Sequence, residues 1–202
     1  MLDNKLGIIN EVELSKEEER LSKIKALKLF DIDLNNLKIG TFECLSSIHE
    51  YLFNEILYSF AGKIRKENIA KGNFRFASSL YLEDILKKID KMPENNYDEI
   101  IKKYIEMNVA HPFREGNGRS TRIWLDMILK SRLNKVIDWS KVEKEDYLLA
   151  MEKSPIKDTE INLLLKSALT DKVNDRTVYM KGLDASYKYE GYNTYKMEEL
   201  DK

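Results

Sequence analysis

Apolar positions recur at helical spacing through most of the chain. Leu45, Ile48, Leu52, Phe53, Ile56, Leu57 and Phe60 step by three and four up to Ala61-Gly62, which predicts an amphipathic helix ending at the glycine. Ile100, Ile101, Tyr104, Ile105 and Val109 form a second stripe, closed where Pro112 disfavours helical geometry at His111. From Arg119 to about Leu133 apolar residues (Ile123, Trp124, Leu125, Met127, Ile128, Leu129) fall on several sides, as a helix through the middle of a domain requires. Shorter helices are expected over 146–152 and 158–169, separated by Ser154-Pro155, and a last one over 178–190, closed by Gly191. Residues from Asn193 onward read as loosely held.

One stretch departs from this period. In IAKGNFRF, residues 69–76, a Gly-Asn pair is flanked by short segments carrying Ile69, Phe74 and Phe76, the pattern of a β-hairpin. The predicted fold is therefore all-α with one small hairpin. A chain of 202 residues fits one domain, spanning 1–202 with its core at about 41–170. Three prolines and eight glycines suit that helical reading.

Charge narrows the partners. Lys and Arg (34) nearly cancel Asp and Glu (35), and a net charge of −1 supplies no field to gather nucleic acid or coat an anionic membrane. Cys44 is the single cysteine, so no internal disulfide forms, and a small buried apolar role is expected for it. The acidic amino terminus lacks the pattern of a signal peptide, and no apolar run approaches the ~18 residues of a membrane span. These features predict a soluble protein of the reducing cytoplasm.

The densest chemistry lies in HPFREGNGRSTR, residues 111–122. Gly116-Asn117-Gly118 precedes the central helix, where unpaired backbone N–H groups and partial positive charge make an anion site. The glycines would let phosphate oxygens approach the backbone, with the Asn117 amide adding a donor. Arg119 and Arg122 share a helix face and suggest more than one phosphate. Glu115 beside such a nest would be repulsive without a cation, and Mg²⁺ takes one or two carboxylates together with phosphate oxygens. His111, at the edge of the site, is the candidate general base for an incoming hydroxyl.

At every fixed position these residues match H-P-F-x-(D/E)-G-N-G-R-x-x-R, the signature of the Fic family of nucleotidyl transferases. AGKIRKENIAKGNFRF resembles the family's substrate-binding flap, which places Lys71, Gly72, Asn73, Phe74, Arg75 and Phe76 against a target chain; IHEYLFNEILYSFAGKIR resembles the segment leading into it. The resemblance implies a mostly helical fold that holds ATP-Mg²⁺ and transfers AMP to a Ser, Thr or Tyr hydroxyl of a target protein. It implies His111 as base, Glu115 as Mg²⁺ ligand, and Gly116, Asn117 and Gly118 as anion hole. Arg119 would face the β-phosphate and Arg122 the γ-phosphate. Ser186-Tyr187-Lys188-Tyr189-Glu190-Gly191 is similar to (S/T)-x-x-x-E-(G/N), the inhibitory motif of one class, on a helix at about 178–191. A different phosphate-containing donor, removal of AMP, or a non-catalytic nucleotide-binding module are the competing readings, and the oligomeric state is left open.

The other notable residues have plainer roles. His49 sits on an apolar stripe and reads as a hydrogen-bonded structural histidine; Trp124 and Trp139 read as packing residues. Tyr187, Tyr189, Tyr192 and Tyr195 pack the terminal segment, and they are also hydroxyls within reach of self-modification.

Overall fold

The computed structural model describes residues 3–32, 37–54, 57–72 and 74–201. Ile56 of the first stripe and Asn73 of the hairpin turn thus lie outside the described residues. Helix α1 (Glu11–Leu29) begins at Asn10, whose side chain accepts from Val12 and Glu13 N–H, and Glu11 and Glu13 complement the positive end of its dipole. Its period is invisible in the sequence because the buried face carries Glu18, Glu19 and Lys23 beside Leu14, Ala26 and Leu27.

Helix α2 (Phe42–Phe53) buries Cys44, Leu45, Ile48, His49, Leu52 and Phe53 on one face. It does not continue to Gly62 as the spacing predicts. The Asn54 side chain turns back onto Glu50, and the Tyr58 amide donates to Phe53 O at 2.8 Å. Leu57 is nevertheless buried and Phe60 packs against the core, so turn residues that face the core mimic a helical stripe. Strands β1 (Ala70–Lys71) and β2 (Phe74–Arg75) pair antiparallel, Ala70 with Arg75 and Lys71 with Phe74, as the hairpin reading expects.

Helix α3 (Leu82–Asp90) buries Leu82, Leu86 and Ile89. Helix α4 (Tyr97–Ala110) ends where His111 turns left-handed, and α5 (Asn117–Leu133) starts two residues before the expected Arg119. Buried positions surround α5, as a central helix requires. The chain continues through β3 (Val136–Ile137), α6 (Lys144–Lys153), α7 (Thr159–Ser167) and β4 (Leu169–Thr170). Strands β3 and β4 pair, which removes Leu169 from the helix predicted over it.

Helix α8 (Arg176–Tyr189) is capped by the Asp175 side chain, and Gly191 follows at φ 90°. Helix α9 (Met197–Leu200) closes the described chain. The segment from Asn193 is not loosely held. Thr194 and Tyr195 N–H donate to Glu19, Lys23 reaches Tyr195 O, and Met197 is fully buried. One apolar core runs through α1 to α9. Both tryptophans pack in it: Trp124 donates to Thr41 O and Trp139 to Asp126. Among the described residues no helix is long and apolar enough to cross a membrane.

Candidate active site

The site forms where α4 stops and α5 starts. Pro112 excludes a further helical turn, and His111 takes the left-handed region at φ 48°, ψ 62°, its amide still bonded to Met107 O at 3.0 Å. The half-buried imidazole stacks on Phe76 of the hairpin, 3.7 Å between centroids. Burial pushes its pKa down to about 4, against smaller upward pulls from the Asn108 backbone and Glu190. The ring is therefore neutral at pH 7, the form that accepts a proton.

The loop between the helices is braced from three sides. His49 Nδ1 accepts from Gly62 N–H at 2.9 Å, so its other nitrogen carries the proton and donates to Glu115 O at 2.7 Å. The same ring stacks on Phe113 at 3.8 Å. His49 is thus the structural histidine its position implies, held neutral with its pKa pushed by burial to about 3. The Asn117 side chain bonds both backbone groups of Phe113, at 2.8 and 2.7 Å. That corrects the expectation of an amide donor aimed at an anion: the Asn117 side chain shapes the loop, and its backbone is the part that belongs to the helix start.

Two glycines leave necessary space. Gly116 has φ 77°, and a Cβ there would lie 2.6 Å from the Phe53 ring. At Gly118 a Cβ would lie 2.2 Å from Glu190 Oε1 and 3.0 Å from Arg122 Nη1. The first turn of α5, with N–H groups that have no partner inside the helix, opens onto that space.

Arg119 and Arg122 are both buried and both paired. Arg122 donates through Nε to Ser186 Oγ at 2.7 Å, and through Nη2 to Ser186 O at 2.8 Å and Glu190 Oε1 at 3.0 Å. Arg119 Nη2 meets Glu18 Oε1 at 2.6 Å and Glu115 Oε1 at 3.1 Å, with the Tyr192 ring 4.4 Å away. Its Nε and Nη1 have no hydrogen-bond partner among the described residues. Glu190 also faces Lys71 of β1 at 3.5 Å. Although burial alone would raise its pKa, Arg122 and Lys71 hold the carboxyl at about 2.

These groups line an open cavity of about 670 Å³, within the usual range for small-molecule sites. His111, Glu115, Gly116, Asn117, Gly118, Arg119, Arg122 and Glu190 all border it, as do Lys71, Phe74 and Phe76 at the hairpin. Gly72 and Arg75 of the hairpin are not in its wall. No group of three or more metal-ligating side chains occurs among the described residues. Glu115, 41% exposed at the side chain and using only Oε1 in its two contacts, still suits Mg²⁺, which needs one carboxylate when phosphate and water supply the rest.

Sequence reasoning missed the contacts of three residues. Glu18 reaches the site from α1, Tyr192 lies over Arg119, and Arg65 lies beneath His111. None sits at a spacing that marks it, because each acts through the tertiary fold. Of the tyrosines weighed for self-modification, Tyr187 and Tyr189 are buried, and the Tyr189 hydroxyl donates to backbone oxygens of Trp139 and Val142.

The profile of the Fic/DOC family matches residues 41–129. Protein adenylyltransferase VbhT of Bartonella schoenbuchensis is 27% identical over 94% of this chain, which spans only 44% of that protein's length. The Escherichia coli protein named "Probable protein adenylyltransferase Fic" is 25% identical over 85% of the chain and 88% of its own length. The crystal structure of BepC from Bartonella tribocorum, with bound AMPPNP, superposes with a TM-score of 0.70 at 18% identity, covering 84% of this chain and 92% of that one. That likeness establishes a shared fold.

Proposed function

The chain belongs to the Fic/DOC family, and on that premise we propose that it transfers AMP from ATP to a Ser, Thr or Tyr hydroxyl of a target protein and is restrained by its own α8. The observation that carries the proposal is the convergence of a neutral imidazole, an open helix start and two arginines on one cavity with the hairpin at its edge. Relatives named as protein adenylyltransferases point to the same chemistry.

In this reading the hydroxyl proton passes to His111, the hydroxyl oxygen bonds to the α-phosphorus, and the bond from that phosphorus to the bridging oxygen breaks, releasing pyrophosphate. General base action of this kind contributes ~10² to 10⁴ in rate. The backbone N–H groups at the start of α5 and the Arg119 guanidinium receive the charge that builds on the departing phosphates. Glu115 would hold Mg²⁺, which supplies charge neutralisation on the phosphate oxygens. The hairpin, with Lys71, Gly72, Phe74, Arg75 and Phe76, would align an extended stretch of the target by strand addition.

Restraint follows from charge. A carboxylate over Gly118 and on Arg122 occupies the space and the cation that a γ-phosphate would use. ATP would then bind in an unproductive pose, and Ser186 would help hold the brake through its two contacts to Arg122. Incubation of the Glu190→Gly protein with ATP, Mg²⁺ and cell lysate, followed by mass spectrometry, should find AMP added to a protein hydroxyl. A Glu190→Gly protein that binds ATP and modifies nothing would favour a nucleotide-binding module instead.

A further inference from the structure

Beneath the imidazole lies Arg65. This guanidinium is 4% exposed, and among the described residues its hydrogen bonds all run to main-chain carbonyls. Nε donates to His111 O at 2.8 Å and Nη2 to Ala110 O at 3.2 Å. Nη1 donates to Glu67 O and Nη2 to Ala77 O, each at 2.5 Å. The Arg65 amide adds a bond to Pro112 O at 2.8 Å.

These acceptors belong to two parts of the site. Ala110 and His111 are the carboxy-terminal end of α4, whose last carbonyls lack helical partners and whose dipole favours a cation. Glu67 and Ala77 bracket the hairpin, and Ala77 N–H also bonds Val109 O at 2.9 Å. One side chain therefore ties both roots of the hairpin to the residue that bears the imidazole. The hairpin returns the contact from above, since Phe76 stacks on His111 at 3.7 Å with 19° between the planes. His111 needs such a restraint, because a left-handed backbone is unfavourable for a residue with a Cβ.

We propose that Arg65 is a positioning residue for the transfer reaction: its guanidinium fixes His111 in the left-handed turn and sets the register between the imidazole and the hairpin that presents the acceptor. The proposal rests on His111 being the base, and it deepens that reading by naming what aims it. Lysine could fill the volume and keep the charge, yet a single ammonium cannot span four carbonyls in a planar fork.

The test is Arg65→Lys in the Glu190→Gly background, read by NMR and by kinetics. The chain has only His49 and His111 to assign. The stacked Phe76 ring displaces the His111 ring-proton resonances, and in Arg65→Lys these should move toward the values of an unstacked histidine while those of His49 stay in place. With the target protein as acceptor, kcat should fall by at least about tenfold while the Kd for ATP changes by less than about threefold, the pattern of a lost positioning contact. His111 resonances that do not move would overturn the proposal, as would equal losses in kcat and ATP affinity. If the parent shows no transfer, the proposed function fails and the NMR result still decides whether Arg65 positions His111. If Arg65→Lys does not fold, the Arg65 Nε–H of the unmodified protein decides: exchange as slow as core amides is expected, and fast exchange overturns the knot.

Discussion

Glu190 and Arg122 meet at 3.0 Å across 68 residues of sequence, with the carboxylate lying over Gly118 at the mouth of the helix start. Substituting Glu190→Gly removes the carboxylate at a position just beyond the last turn of α8, where glycine is tolerated. Transfer activity should rise by about tenfold or more, the scale of an ordinary intramolecular coupling. Arg122→Ala should not reproduce the gain, because it deletes a phosphate partner together with the brake. A Glu190→Gly protein with unchanged activity and an intact circular dichroism spectrum would leave α8 as packing alone.

Gly118→Ala separates the space from the charge. Its Cβ would stand where the carboxylate now lies, so ATP affinity should drop by about tenfold even when Glu190 is already glycine. Equal affinity in the single and double variants, by titration calorimetry, would place the phosphates elsewhere.

His111→Ala should abolish transfer and leave ATP binding within about threefold, since the imidazole acts on the acceptor hydroxyl. Glu115→Ala should instead flatten the Mg²⁺ titration of activity, because it removes the motif's one carboxylate. The two variants therefore fail in different measurements, and an unaltered Mg²⁺ curve for Glu115→Ala would remove Glu115 from the metal.

Glu18→Gln tests the packing of Arg119. Loss of one partner of a buried ion pair leaves an uncompensated charge, so stability should fall by about 3 kcal/mol in urea denaturation, with Glu115 still present as a weaker counterion. A change within error would show that Glu115 alone suffices.

Acid should loosen the fold through its histidines. His49 and His111 have ordinary values of 6.5 when unfolded and about 3 and about 4 when folded. Between about pH 6.5 and 4 the unfolded chain thus binds protons that the folded chain refuses, and stability falls as pH falls. Glu190, lowered from 4.5 to about 2, loses its contribution only below about pH 4.5. The urea midpoint should therefore drop between about pH 7.5 and pH 5, and less so in His49→Gln, whose side chain can still bond Glu115 O. Asp126, which burial raises from 3.8 to about 7, works in the opposite direction over the same range. The decisive reading is therefore the difference between the parent and His49→Gln: equal pH dependence in the two would mean that the His49 ring is not held neutral.

Much of this was legible in the chain because α4, α5 and the hairpin carry their own signals: period, a proline stop, a Gly-Asn turn. The residues from His111 to Arg122 are local in sequence and local in space, so their gathering at one cavity was legible from the chain. What escaped was tertiary. The apolar period of α1 is masked by Glu18, Glu19 and Lys23, whose charges are buried against the opposite end of the chain. The overlong reading of α2 arose because Leu57, buried, and Phe60, packed against the core, face it from beyond the end of the helix. The error at Asn117 has the same origin: the sequence shows a side chain able to donate, and only the fold shows that Phe113 already holds it.

The most direct measurement of the central claim uses ATP labelled at either end of its phosphate chain, with the Glu190→Gly protein, Mg²⁺ and lysate. Label from the α-phosphate should appear on a protein band, label from the γ-phosphate should not, and adding His111→Ala should erase the signal. Protein labelled from the γ-phosphate, or α-label that persists without His111, would contradict adenylyl transfer by this site.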